Sequence, residues 1–203
     1  MAFARASIGI LARPDAFSCA FPNVGTDTIY GTGTTTTNLV PAYGLYNYSE
    51  SAHIVPQTSI GAGKRLNRIA FYYTGWTVPY TFSAVEVWIG HTTNAEFPAG
   101  VTVGYSTMTI TNLTKVYSGS YTISANNTWI YVDFNPLFCY NGTDNLIVLF
   151  KNFDGSWTSG YGNTQNTVTT NYRQAYVYQD PNYPTNGTAM TRALRQINVR
   201  LWY

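Results

Sequence analysis

The sequence has few charged side chains and little that could carry out acid–base chemistry. Charged residues make up 10% of the 203-residue chain, and eleven basic side chains nearly balance nine acidic ones, for a net charge of +2. So small a surplus does not predict nucleic-acid binding, which needs a basic patch to neutralise phosphates. The two histidines, His53 and His91, are interpreted as hydrogen-bonding residues, and hydrolase, zinc-protease and phosphate-loop motifs are missing. We therefore predict a protein that is not an enzyme, with no catalytic residues, no metal site and no cofactor.

Long apolar runs are missing as well. The longest, at residues 146–150, has the length of a strand, whereas a membrane helix needs about 20 apolar residues. The apolar part of the N-terminus, residues 8–12, is too short for the core of a signal peptide. The sequence therefore predicts neither membrane insertion nor export by an ordinary signal.

Cysteine is scarce, and its two occurrences leave two alternatives open. Cys19 and Cys139 would form one disulfide if the fold brings their Cα atoms within reach, but the sequence cannot establish that geometry. Buried free thiols are at least as good an interpretation. No CxxC pattern or Cys/His cluster occurs, so a structural zinc site is not predicted.

The strongest positive signal is an alternation of apolar and polar side chains with a period of two residues. Gly, Asn and Pro turn signals separate short strand-like runs, and no long amphipathic helix is found. The predicted strands are 66–73, 84–90, 115–121, 129–134, 145–150, 175–178 and 197–203. This pattern predicts an all-β fold, namely an antiparallel β-sandwich with a jelly-roll-like strand order.

Three segments do not fit the strand pattern. The Thr-rich residues 32–38 are predicted to form an edge strand or an exposed loop, and residues 154–171 a long polar loop of the kind that often carries contacts. Residues 1–28 have two open interpretations, an arm that docks on another protein or the first strand of the same domain. We divide the chain into a 1–28 N-terminal arm or anchoring segment and a 29–203 β-sandwich domain.

Aromatic side chains are more numerous than a core of this size needs, with eighteen tyrosines and five tryptophans. Four of them lie in loop-like segments and are the candidate ligand-binding residues: Trp76, Tyr80, Trp157 and Tyr161. Exposed rings pack on the C–H faces of sugars, and they also form the centres of protein interfaces. The same rings could instead fold back onto the sandwich, so three roles stay open.

Several short stretches, in order, resemble a module repeated in large secreted surface proteins of Bacteroidota. The resemblance runs from about Tyr30 to the end of the chain. The matching stretches are 31–40 (GTGTTTTNLV), 46–49 (YNYS), 69–75 (IAFYYTG), 87–93 (VWIGHTT), 116–119 (VYSG), 140–149 (YNGTDNLIVL) and 154–157 (DGSW). The resemblance implies a β-sandwich used for display or adhesion, and it transfers no catalytic residues.

The departures from that module shape the functional expectation. Its members usually carry a leader and a C-terminal sorting domain, and a version without them looks like a phage gene. We therefore expect a non-catalytic virion structural protein, a capsid decoration, head fibre or tail component. Its expected partners are other virion proteins, itself (as a homotrimer) and a host-surface glycan. The alternative is a secreted bacterial adhesin or carbohydrate-binding module, which would be extracellular or at the cell surface.

Overall fold

The computed structural model describes residues 19–22 and 24–203. Residues 1–18 and 23, which make up most of the predicted N-terminal arm, lie outside the described residues. The regular structure of the described residues is almost all β-strand, and their one helix is the single turn α1 (Gln57–Ile60). No helix in this part has the length and apolar character needed to cross a membrane.

The strands of the described residues form two antiparallel sheets. They are β1 (Asp27–Tyr30), β2 (Thr35–Thr37), β3 (Tyr48–Val55), β4 (Lys64–Thr74), β5 (Tyr80–Thr92), β6 (Ile110–Ile123), β7 (Thr128–Tyr140), β8 (Asn145–Asn152), β9 (Asn163–Val168), β10 (Gln174–Gln179), β11 (Thr191–Ala193), β12 (Arg195–Ile197) and β13 (Val199–Trp202). The first sheet has the order β1-β13-β4-β9-β12, with β2 paired to β9 and β7 paired to β4. The second sheet has the order β11-β10-β3-β8-β5-β6.

Four antiparallel strand pairs are nested one inside another along the chain. β5 pairs with β6, β4 with β7, β3 with β8, and β1 with β13. Successive pairs lie in alternate sheets, so the chain folds like a long hairpin that is wrapped around a common core. This is the strand order of a jelly roll. The prediction of an all-β, jelly-roll-like antiparallel sandwich is confirmed.

The main core lies between the two sheets, and a second apolar cluster lies on the outer face of the second sheet. In β4, Ile69, Phe71 and Tyr73 alternate toward the main core. In β8, Val148 and Phe150 face that core, whereas Ile147 and Leu149 face the second cluster. Phe97, Val101 and Met190 from the covering loops complete the second cluster. Burial on both faces explains the uninterrupted apolar run at residues 146–150.

Two strands do not show the period-two pattern because several of their buried side chains are polar. Ser49, Glu50, Ser51 and His53 of β3 are all buried. The prediction that residues 154–171 form one long loop is wrong, because β9 occupies 163–168 and buries Thr164 and Asn166. The Thr164 hydroxyl donates to the Val40 carbonyl at 2.6 Å. Tertiary hydrogen bonds of this kind allow polar side chains to line a core.

The two ends of the described domain meet where β4 begins. Cys19 and Cys139 form a disulfide with a Cα–Cα distance of 5.5 Å, and Cys139 lies opposite Arg65 in β7–β4 pairing. Thr26 and Tyr203 exchange two backbone hydrogen bonds of 2.9 Å. We call this region, with Cys19, Thr26, Cys139 and Tyr203, the terminal end. β1 starts at Asp27, so the last two residues of the predicted 1–28 arm belong to the first sheet.

Candidate binding surface

The four aromatic residues predicted from sequence lie at or near the opposite end of the sandwich from the terminal end. β4 connects the two ends, and its eleven residues span about 35 Å at ~3.3 Å per residue. Lys64, its first residue, lies over the Tyr203 ring at 4.2 Å. Trp76 follows the last residue of β4 by two positions. We call the region around Trp76, Tyr80, Trp157 and Tyr161 the aromatic end.

Trp76 is a core residue of the aromatic end rather than a surface residue. It is 5% exposed, and its ring lies 5.5 Å from Tyr80 and 5.8 Å from Phe82. Gly44 lies between Trp76 and Tyr161, where a Cβ atom would come within 2.9 Å of each. Only glycine leaves room for this approach. Trp76 therefore packs in the core beneath the residues that form the surface of the aromatic end.

Four tyrosines at this end form a cluster that the sequence pattern did not reveal. Tyr43 lies at its centre, with ring-centroid distances of 5.4 Å to Tyr46, 5.4 Å to Tyr161 and 4.8 Å to Tyr178. Tyr46 and Tyr178 are half-buried and lie 4.6 Å apart. Burial raises the pKa of Tyr43 to about 12, with a smaller contribution from a hydrogen bond with Tyr161. We call these residues the tyrosine cluster; at neutral pH the Tyr43 phenol is uncharged.

Trp157 is the exposed aromatic residue of this end, with 61% of its surface accessible. It lies in a loop of residues 153–162, the Trp157 loop, whose backbone is held at several points. Thr158 N–H donates to the Gly44 carbonyl at 2.8 Å, and Gly155 N–H donates to the Asn47 carbonyl at 3.1 Å. The Trp157 side chain is therefore presented to solvent on a fixed backbone next to the tyrosine cluster.

The acidic group nearest to Trp157 in sequence is already used to hold its loop. The Asp154 carboxylate accepts hydrogen bonds from Ser83 N–H at 2.7 Å, Ser156 Oγ at 2.7 Å and the Tyr80 hydroxyl at 3.2 Å. Burial, and then the charge of Asp154, raise the pKa of Tyr80 to about 12. The structure thus buries Trp76, packs the half-buried Tyr80 and Tyr161 against the same core, and leaves Trp157 exposed.

Neither histidine is placed to activate a nucleophile. His53 is fully buried, and its Nε2 lies 2.9 Å from Ser51 Oγ, which itself donates to the Pro41 carbonyl at 2.7 Å. Nε2–H is therefore the donor to Ser51, the reverse of what a general base requires. Burial lowers the pKa of His53 to about 3. His91 accepts from Asn141 N–H at 3.0 Å, and burial lowers its pKa as well.

Glu50 is the fully buried carboxylate of the described chain, and its partners could not be recognised from the sequence. Its oxygens accept from the hydroxyls of Tyr105 at 2.7 Å and Tyr183 at 2.5 Å, and Lys151 Nζ lies 3.7 Å away. Burial and the charge of Glu50 raise the pKa values of both tyrosines. Tyr105 and Tyr183 come from two loops that cover the second sheet, so Glu50 fastens both loops. In residues 19–22 and 24–203, no group of three His, Cys, Asp or Glu could hold a metal.

The outer face of the first sheet carries a ladder of ion pairs and stacked rings. Arg68 pairs with Asp133 at 2.5 Å, and Arg200 pairs with Asp27 at 2.6 Å. The Trp202 ring lies between them, 5.6 Å from the Arg68 guanidinium and 4.9 Å from that of Arg200. Because the guanidiniums pack against the ring and the carboxylates satisfy them, this ladder stabilises the sheet.

Comparison of the chain with family models, curated proteins and solved structures gave no match.

Proposed function

We propose that this chain is a non-catalytic virion structural protein, a capsid decoration, head fibre or tail component, that displays its β-sandwich at the particle surface. The observation that carries the proposal is the separation of the two ends of the sandwich. The chain enters at the terminal end, where Cys19 is bonded to Cys139, and Trp157 is exposed at the aromatic end. A module attached through residues 1–18 would therefore present Trp157 away from its attachment point.

The connection at the terminal end suits a module that must resist pulling. The disulfide would pass a pulling force from the N-terminal segment to β7. The backbone hydrogen bonds between Thr26 and Tyr203 would spread that force to the adjoining strands β1 and β13. Jelly rolls occur in viral capsid and lectin domains, which is support by analogy with the fold alone. The disulfide also suits a particle surface, since such bonds persist in oxidising surroundings.

A secreted adhesin or carbohydrate-binding module is the second candidate, and the same disulfide suits it. Disulfides persist in the periplasm and outside the cell as they do on virion surfaces, so the bond is equally compatible with this candidate. Both candidates use the aromatic end for contact. They differ in what residues 1–18 are attached to.

Deleting residues 1–18 from the chain tests the attachment. The deletion keeps Cys19 and all of β1, so the variant should fold. We expect the full chain in particles purified from the phage that encodes it, and we expect the deletion variant to be missing from them. Trp157→Ala is the matched control, because it alters the far end and should be incorporated normally. Equal incorporation of the deletion variant would refute attachment through this segment.

A further inference from the structure

The neighbours of Trp157 in the sequence do not explain why its side chain is exposed. Trp76 follows Gly75 and precedes Thr77, and it is buried; Trp157 follows Ser156 and precedes Thr158, and it is 61% exposed. The hydrogen bonds of the Trp157 loop to Gly44 and Asn47 fix this arrangement. A large apolar ring held out of the core on a fixed backbone is preorganised for contact.

The surroundings of Trp157 are polar, and the two carboxylates among them, Asp154 and Asp180, accept hydrogen bonds from neutral groups of the fold. The Trp157 loop contains one charged residue, Asp154, whose carboxylate binds its own neighbours. Asp180 accepts from Asn47 N–H at 2.9 Å. The tyrosine cluster adds the half-buried phenols of Tyr46 and Tyr178. Such a surface offers hydrogen-bonding groups and a ring face, and the negative charge of its two carboxylates disfavours an anionic ligand, so it suits an uncharged one.

The exposed apolar area is small. Among the exposed large apolar side chains of the described residues, Val78 and Trp157 belong to this end. At 61% exposure, Trp157 offers about 150 Å² of the ~250 Å² of a Trp side chain, whereas each partner of a standard protein interface buries about 800 Å². One ring of this size matches the C–H face of one sugar unit, with the neighbouring hydroxyl and amide groups available for the sugar hydroxyls.

From these contacts we infer that the aromatic end binds a neutral saccharide, which stacks on Trp157 and lies against Tyr46 and Tyr178. The inference rests on the proposed function, since it names the ligand class of the surface that the module displays. It assigns different roles to the two tryptophans: Trp157 contacts the sugar, and Trp76 holds the surface in shape.

NMR titration of the full chain with neutral oligosaccharides of glucose, mannose, galactose and N-acetylglucosamine tests this inference. The indole N–H signal of Trp157 is identified as the one lost in Trp157→Phe. We expect at least one oligosaccharide to shift this signal saturably, together with the backbone amide signals of the Trp157 loop, which also report binding in the variants. Trp157→Ala should raise its Kd about tenfold or more, and Trp157→Phe should retain part of the affinity. Tyr131→Ala is the matched control, because Tyr131 is 53% exposed on the outer face of the first sheet.

Three results would overturn the inference. The first is that no oligosaccharide shifts the Trp157 signal at millimolar concentration, and the second is that Trp157→Ala binds as tightly as the parent chain. The third is a change of oligomeric state in Trp157→Ala, which would assign the ring to contact between copies of the chain. Incorporation into particles is measured separately, so the saccharide site can fail while the display function stands.

Discussion

Lowering the pH should destabilise the fold through His53, and the expected size follows from its burial. The imidazole is fully buried, and its pKa is lowered to about 3, against about 6.5 in an unfolded chain. Below pH 6.5 the unfolded state therefore binds a proton that the folded state does not, so stability falls as the pH decreases toward 3. At pH 4.5, two units below the unfolded pKa, the loss is about 2 to 3 kcal/mol.

Urea unfolding at pH 7 and pH 4.5 measures this loss, with His53→Gln as the comparison. Glutamine stays uncharged at both values, and its amide can still donate to Ser51. Losses caused by carboxylates occur in both proteins and cancel in the difference. We expect the parent chain to lose about 2 to 3 kcal/mol more than the variant. Equal losses, or an NMR titration that places the pKa of His53 near 6.5, would refute the reasoning.

Three further predictions concern single side chains. Glu50→Gln should lower the free energy of unfolding, measured with urea, by about 1 to 3 kcal/mol. It should also speed amide hydrogen exchange in the two loops whose tyrosines bind Glu50, and unchanged exchange there would contradict this role. Cys139→Ser should lower the free energy of unfolding by up to about 5 kcal/mol, because the disulfide links residues 120 positions apart and so restricts the unfolded chain. Identical urea midpoints for parent and variant would contradict this. Trp76→Ala should lower the free energy of unfolding by about 3 to 5 kcal/mol, and Trp157→Ala by less than about 0.5 kcal/mol. Similar decreases in melting temperature for the two variants would show that their burial is misassigned.

The fold could be predicted largely because most strands have one apolar face and one polar face. The alternation in β5 and β7, for example, follows from burial on a single side. β3 could not be recognised in this way. Its polar side chains are buried, and the tyrosines that satisfy Glu50 lie 55 and 133 residues away in sequence. No local pattern carries information about partners so distant.

The candidate surface could be predicted by residue type but not by exposure. Trp76 and Trp157 each lie between a small residue and a threonine, and their local sequences do not distinguish them. The difference arises from tertiary contacts, since Gly44 admits the Trp76 ring from one side and anchors the Trp157 loop through its carbonyl. The role of Tyr43 as the centre of the tyrosine cluster depends on the same contacts.

Cryo-electron microscopy of purified particles tests the central claim most directly, namely that the chain is held at its terminal end and presents its aromatic end. We predict sandwich-shaped density on the particle exterior, with the Cys19–Cys139 bridge toward the particle body and the Trp157 loop pointing into solvent. Density in the opposite orientation, with Trp157 against the particle body, or particles that lack the chain altogether, would contradict it.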